Sequence, residues 1–270
     1  MTKTHIKLLL FALMPLIIFS CVKETDDNLD RLQKFYLNNP DAIAQVKFIH
    51  AYTPLTLGGT PAQSTSTVGF RITMDGSKIN GAGNASTSTN TFMYGGVYPP
   101  TIAYSFLPPG PRNFRFIMNR VAAGNFSPVT GDEYFNTTLA LTAGKKYSMF
   151  IADPYTTAYM VEDNFKEPPL GLYGLRFINV TGETTAKYDV VSARHGIKLF
   201  SNVGYREMQD YIYLTVTSTD TIYLRTAGTN TIVSQINGFL PGTQRVYTLY
   251  ARGKTGVTGR TPNLTFYTNR

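Results

Sequence analysis

The chain has no tryptophan, a single cysteine and only three histidines in 270 residues. With one cysteine, Cys21, no internal disulfide can form, so any domain must be stabilised by its own apolar core. Of the histidines, His5 lies in the opening segment, and His50 and His195 sit in no nucleophile-elbow or zinc-helix motif. That argues against a histidine-based metal centre or hydrolase triad. Without tryptophan, a sugar-binding surface would lack its commonest platform, which tilts a binding function toward protein partners. After residue 20 no apolar run reaches the roughly 20 residues a membrane-spanning helix needs. Nor is there a dense basic face. The formal charge is +8, but Arg112, Arg115 and Arg120 in one stretch and Arg245, Arg252, Lys254 and Arg260 in another are diluted by Thr, Tyr and Gly. Nucleic acid is therefore not an expected partner.

What is present begins at the N-terminus. A short basic start (Lys3, His5, Lys7) leads into an apolar run from Leu8 to Phe19, closed by Ser20-Cys21. This is the n-region and h-region of an export signal, too short to span. A small residue before a cysteine after such a run resembles the bacterial lipobox, with Phe19 departing from the small residue usual there. The resemblance implies cleavage before Cys21 and lipid on its thiol and new amino group. Each buried CH₂ of acyl chain contributes about 0.8 kcal/mol, so several chains anchor stably. The segment Val22-Lys23-Glu24-Thr25-Asp26-Asp27 resembles the acidic surface-export tether of Bacteroidota-type lipoproteins. The expectation is an outer-membrane, lipid-anchored protein facing outward, with a periplasm-facing position second.

The spacing of Leu29, Leu32 and Phe35-Tyr36, behind Asp27 or Asn28 as cap, predicts one or two helical turns before Asn38-Asn39-Pro40. From there on Val, Ile, Thr, Tyr and Phe gather in short runs separated by Gly, Pro, Asn and Ser, which predicts many short strands. Four blocks recur in order. Gln45-Val46-Lys47-Phe48-Ile49-His50 answers Gly174-Leu175-Arg176-Phe177-Ile178-Asn179. Residues 69–79 answer 188–199, and 104–117 answer 213–225. Residues 139–150, with Gly144 and Tyr147, answer 236–250, with Gly242 and Tyr247. In 113–118 Phe114 and Phe116 share one face; in 211–216 Ile212, Leu214 and Val216 share the core face. Lys166-Glu167-Pro168-Pro169-Leu170-Gly171 separates the repeats as a Pro-Gly linker.

The reading is all-β: two tandem immunoglobulin-like β-sandwich domains after a cleaved lipoprotein signal peptide. The organisation is a signal at 1–20, a lipidated tether with a short helix at 21–43, a first sandwich at 44–166, a linker at 167–171 and a second sandwich at 172–270. On the Lys/Arg-Phe-Ile-His/Asn strands, Asp75-Gly76, and the strands at Tyr147 and Tyr247, residues 44–270 resemble the extracellular domain of unknown function 4397. The family's Ser-Pro-Asp-Ala-Pro segment is absent, and residues 53–67 form a longer insert. The resemblance implies a β-sandwich outside the cell with no established activity.

Candidate chemistry is thin. Asp132, Glu133, Glu162, Asp163 and Glu167 are the carboxylates to test for a glycosidase pair or weak calcium binding, but all fall in polar, loop-like sequence where solvated acids are expected, and none has calcium-loop spacing. No catalytic residue, metal site or cofactor is assigned, and the chain is read as a non-enzyme. His50 is expected to hydrogen-bond at a strand end, and His195 to sit in a turn. Tyrosine is abundant, at 18. Tyr94, Tyr98, Tyr155 and Tyr159 lie in or beside Gly-, Pro- and Thr-rich loops and are the candidate ligand contacts. The competing reading is that such tyrosines half-cover strands and domain seams. The small, polar stretch 76–91 is a further distinctive loop. The expected function is a non-catalytic binding or adhesion module, membrane-attached through Cys21, with an envelope protein or glycan as partner. The alternatives are a structural spacer or accessory subunit of an outer-membrane complex, and then a hydrolase with an unrecognised site.

Overall fold

A computed structural model of the protein describes residues 39–270 except 54–55, 58–59, 62–67, 80–91, 123–124, 153–157 and 258. Cys21, the expected signal, tether and helical turns, Tyr155 and most of the 76–91 loop lie outside the described residues. The described residues are almost entirely strand and turn. In order they form β1 (Ala44–His50), β2 (Thr56–Leu57), β3 (Thr60–Pro61), β4 (Val68–Met74), β5 (Ser77–Lys78) and β6 (Phe92–Met93). Next come β7 (Val97–Tyr98), β8 (Ser105–Leu107), β9 (Gly110–Ala122), β10 (Asn125–Leu141), β11 (Lys146–Ile151) and β12 (Tyr159–Glu162). Then follow β13 (Leu172–Asn179), β14 (Tyr188–Ser192), β15 (Ile197–Val203), β16 (Met208–Thr215), β17 (Asp220–Thr226), β18 (Ile232–Phe239), β19 (Val246–Arg252) and β20 (Asn263–Thr268).

Strands before residue 166 pair only with one another, as do those after it. In the first set, one sheet runs β12-β11-β1, with β7 and β8 sharing the far side of β1; the other runs β10-β9-β4-β5, with β6 also on β4. Val46, Phe48, Phe70, Ile72, Phe114, Phe116, Met149 and Ile151 fill the space between them. In the second set, the sheets are β16-β13-β19-β20 and β15-β14-β17-β18. Their core holds Leu175, Phe177, Val190, Phe200, Ile222, Leu224, Phe239 and Leu249. Both are β-sandwiches. The period of two explains the choice of core residues: Phe114 and Phe116 are fully buried, while Arg115 between them is exposed. Truncating either phenylalanine to alanine costs about 3–5 kcal/mol by cavity formation.

The registers of the two sandwiches correspond in their central strands. β1 lies parallel to β11 with Lys47 opposite Ser148, and β13 lies parallel to β19 with Arg176 opposite Thr248. On the outer side, Val161 of β12 faces Ser148, as Tyr267 of β20 faces Thr248. A third apolar cluster contains Ile49, Phe150, Val161, Ile178, Val180, Tyr250 and Tyr267. Ile49 follows Phe48 and Ile178 follows Phe177, so these residues occupy the opposite face of β1 and β13 from the sandwich cores. The two repeats therefore pack central sheet against central sheet, and β1 and β13 are buried on both faces.

Candidate functional site

Burial on both faces puts charge where none is expected. Lys47 and Arg176, the basic residues of the repeated motif, are both fully buried. Each reaches across the seam to a backbone carbonyl of the other repeat. Lys47 Nζ donates to Thr268 O at 3.1 Å and to Thr101 O at 2.7 Å. Arg176 Nη1 donates to Glu162 O at 3.0 Å. Lys47 lies over the Tyr104 ring at 4.7 Å and Arg176 over the Tyr211 ring at 4.8 Å. Arg176 also pairs with the buried carboxylate of Asp163, and its Nε donates to Thr248 Oγ1 at 2.9 Å. Asp163 accepts from Tyr104 OH and Ser148 Oγ, both at 2.8 Å, and Tyr267 OH donates to Ser148 Oγ at 2.7 Å. In the second repeat, Asn269 stands where Asp163 stands in the first. Its amide donates to Tyr104 OH at 3.0 Å, and its oxygen accepts from Thr248 at 2.7 Å. Burial, opposed by Asp163 and aided by Lys146, lowers the Lys47 pKa from 10.5 to about 8.

This corrects one expectation and refines the other carboxylates. Asp163 is not a solvated loop acid; it is 5% exposed and carries a buried ion pair. The partner it needed, Arg176, lies in the other sandwich, out of reach of local sequence reasoning. Asp132 and Glu133 lie within β10, at a register irregularity, rather than in a loop. Glu162 ends β12 and pairs with Lys145 at 2.7 Å, and Glu167 pairs with Arg270; both pairs are exposed. Among the described residues, no three His, Cys, Asp or Glu side chains gather to hold a metal ion.

The tyrosines separate. Tyr98 packs against the first core, with its hydroxyl donating to Ile79 O at 3.0 Å. Tyr159 packs into the seam, its ring 6.3 Å from that of Phe150. Tyr94, on the turn after β6, projects toward the second repeat, where Arg252 and Arg260 each lie 4.5 Å from its ring centroid. Its edge meets His50 at 5.9 Å. His50 ends β1 as expected but is wholly buried against Phe70 at 4.6 Å. Burial, then the positive fields of Arg260 and Arg252, holds its pKa well below the usual value, so the imidazole is neutral. His195 lies in the 193–196 turn. The nearby Ser192 and Asp220 do not form a nucleophile with it. Ser192 is fully buried, donates to Asp220, and accepts from the His195 backbone N–H at 3.0 Å.

Nothing in the linear pattern of residues points to the open groove at one end of the second sandwich. It has a volume of about 590 Å³, and its walls include Glu183, Lys187, Tyr188, Asn202, Thr226 and Thr255. Asp189, next to the lining residue Tyr188, holds the backbone of the lining residue Asn202. Its buried carboxylate accepts from Asn202 N at 2.8 Å and Gly228 N at 3.0 Å, and pairs with Lys198 at 2.6 Å. Burial alone would raise its pKa; the Lys198, Asn202 and Gly228 hydrogen bonds outweigh that and lower it. A groove that mixes hydroxyl, amide and single charged groups of each sign with the apolar Ala186, Ala227, Val233 and Pro262 suits a ligand with hydrogen-bonding edges and apolar faces.

Fold and site together define a tandem β-sandwich with an open groove of mixed polar and apolar lining. No family model matches the chain, and no curated protein matches it. Solved structures match only distantly. A family 26 carbohydrate-binding module from Eubacterium rectale in complex with maltoheptaose is 11% identical, over 83% of this chain and 96% of its own, with a TM-score of 0.23. A streptococcal virulence factor described for α-glucan binding is 8% identical over 75% and 92%, with a TM-score of 0.24. A candidate cell adhesion protein of Bacteroides fragilis is 11% identical over 84% and 98%, with a TM-score of 0.21. Superposition at this level carries no argument about ligand or activity.

Proposed function

We propose that the protein is a non-catalytic binding or adhesion module of the cell envelope, attached to the outer membrane by lipid on Cys21 and facing outward. The observation that carries this reading is the groove of about 590 Å³ lined by Glu183, Lys187, Asn202, Thr226 and Thr255. It offers hydrogen-bond donors and acceptors at its walls, and the buried Asp189 carboxylate next to it is taken up by Lys198, Asn202 N and Gly228 N. The ligand class it suits is a polyhydroxylated glycan chain, bound through edge hydrogen bonds. Among the described residues, no helix is long and apolar enough to cross a membrane. The test is a screen of residues 22–270 against glycan arrays and envelope extracts, with Thr226→Trp as a groove-blocking control. A specific glycan hit lost in that variant supports the reading. Binding that the variant leaves intact removes the groove from it.

A second reading, a spacer or accessory subunit of an outer-membrane complex, is favoured by the buried ionic seam. Lys47, Arg176 and Asp163 lock the repeats as one body, as a spacer needs. It predicts co-purification of one envelope protein and no glycan signal.

A further inference from the structure

Arg252 is the last residue of β19, and its guanidinium lies across Tyr94; neither residue lines the groove. Its Nε and Nη1 are buried, with no hydrogen-bond partner among the described residues, although the residue as a whole is only part-buried. No described carboxylate forms an ion pair with it. A guanidinium carries five N–H donors in a planar fork, and buried donors are normally satisfied. The surroundings hold it in place without satisfying it. The Gly95 backbone lies so close that a Cβ there would stand 1.8 Å from Nη1, and Tyr94 offers only a ring face. The second cation, Arg260, lies 4.5 Å from the same ring centroid and is itself held by Tyr52 O at 3.4 Å. Two guanidiniums on one aromatic ring repel each other, and an anion placed between them lowers that repulsion. The adjacent imidazole adds no negative charge.

We propose that Tyr94, Arg252 and Arg260 form an oxyanion site that takes a carboxylate or sulfate group, with Arg252 as the fork-like donor and Tyr94 as the platform against which the group's carrier rests. A planar fork matches a carboxylate or sulfate edge through two parallel N–H···O bonds. Resting on the reading that the protein binds glycans, the class of ligand is an acidic saccharide, uronate or sulfated. Of the four tyrosines singled out in the sequence, Tyr94 is the one this site uses.

The test uses the intact protein in neutral detergent, with its histidines labelled for NMR. The His50 imidazole, 5.9 Å from the Tyr94 ring, serves as reporter. Sodium sulfate and sodium glucuronate are titrated separately at constant ionic strength balanced with chloride. The expected result is a saturable shift of the His50 signals, weakened at least tenfold by Arg252→Gln and less by Arg252→Lys. Saturation by glucuronate alone assigns the site to uronates, and by sulfate alone to sulfated sugars. No saturable shift with either anion overturns the proposal. So does an unchanged titration in Arg252→Gln. If Arg252→Gln fails to fold, Tyr94→Leu must show the same loss, and a wild-type titration in that variant overturns the proposal. Because the probes are single anions, a failed glycan screen leaves this result standing, and the reverse also holds.

Discussion

Asp163 and Asn269 occupy the same place in the two repeats, and only the first is charged. Arg176 needs the carboxylate; Lys47, opposite Asn269, holds two carbonyls and two tyrosine rings instead. Removing one partner of a buried pair leaves the other charge uncompensated. Arg176→Met is therefore expected to cost about 3–5 kcal/mol in urea unfolding. Adding Asp163→Asn should recover most of that, because the second repeat already accommodates an asparagine there; a double variant no more stable than Arg176→Met would refute this. Lys47 predicts a pH dependence. Its folded pKa, about 8, lies below its ordinary 10.5, so between these values the unfolded chain binds more protons. Stability therefore rises with pH from about 8, with a slope of up to about 1.4 kcal/mol per unit. Above about 10 the buried phenols that face it, Tyr104 and Tyr267, act the other way, since burial raises their pKa values. Lys47→Met should flatten the rise between pH 8 and 9.5. A wild-type stability that falls over that window would contradict the assignment.

At the level of elements, turns decide where the site residues sit. Gly253, between β19 and the Arg260 loop, has φ +101° and leaves no room for a side chain, since a Cβ there would stand 2.3 Å from Thr261 O and 2.6 Å from Arg260 O. Gly253→Ala must push those carbonyls aside. A loss of about 1–3 kcal/mol in thermal or urea unfolding is expected, together with displacement of Arg260 from Tyr94. A fully stable variant would show that the loop yields freely. The strands themselves were legible in sequence, because period-two burial in β9 and turn residues between short apolar runs are local signals. The repeat was legible too, down to the equivalence of Lys47 and Arg176. The meaning of those basic residues was not. An alternating pattern locates one buried face, whereas β1 and β13 bury two, the second against residues more than a hundred positions away. The clue was there in the unbroken apolar flanks of Lys47 and Arg176. Asp163 was misplaced for the same non-local reason. The groove left no trace because it arises where the ends of β14, β15 and β17 meet two loops, and threonine, lysine and asparagine in loops read as ordinary solvated sequence.

For the molecule as a whole, the aromatic and ionic seam makes the two sandwiches one cooperative body. Ile49, Phe150, Ile178 and Tyr250 are fully buried or nearly so between them, and exposing them would cost several kcal/mol. Calorimetry is expected to show one transition for residues 44–270, split by Phe150→Ala into two; two well-separated transitions in the wild type would contradict a locked seam. A rigid body also fixes the groove and the Tyr94 cluster relative to each other, which suits an extended ligand. The most direct test of the account is titration of the array-selected glycan into the protein and its Thr226→Trp variant by calorimetry. The account predicts saturable binding to the wild type that the variant reduces at least tenfold while its unfolding midpoint holds. Equal binding by both, or no ligand retained by the wild type from arrays covering neutral and acidic glycans, would contradict it and leave the spacer reading in its place.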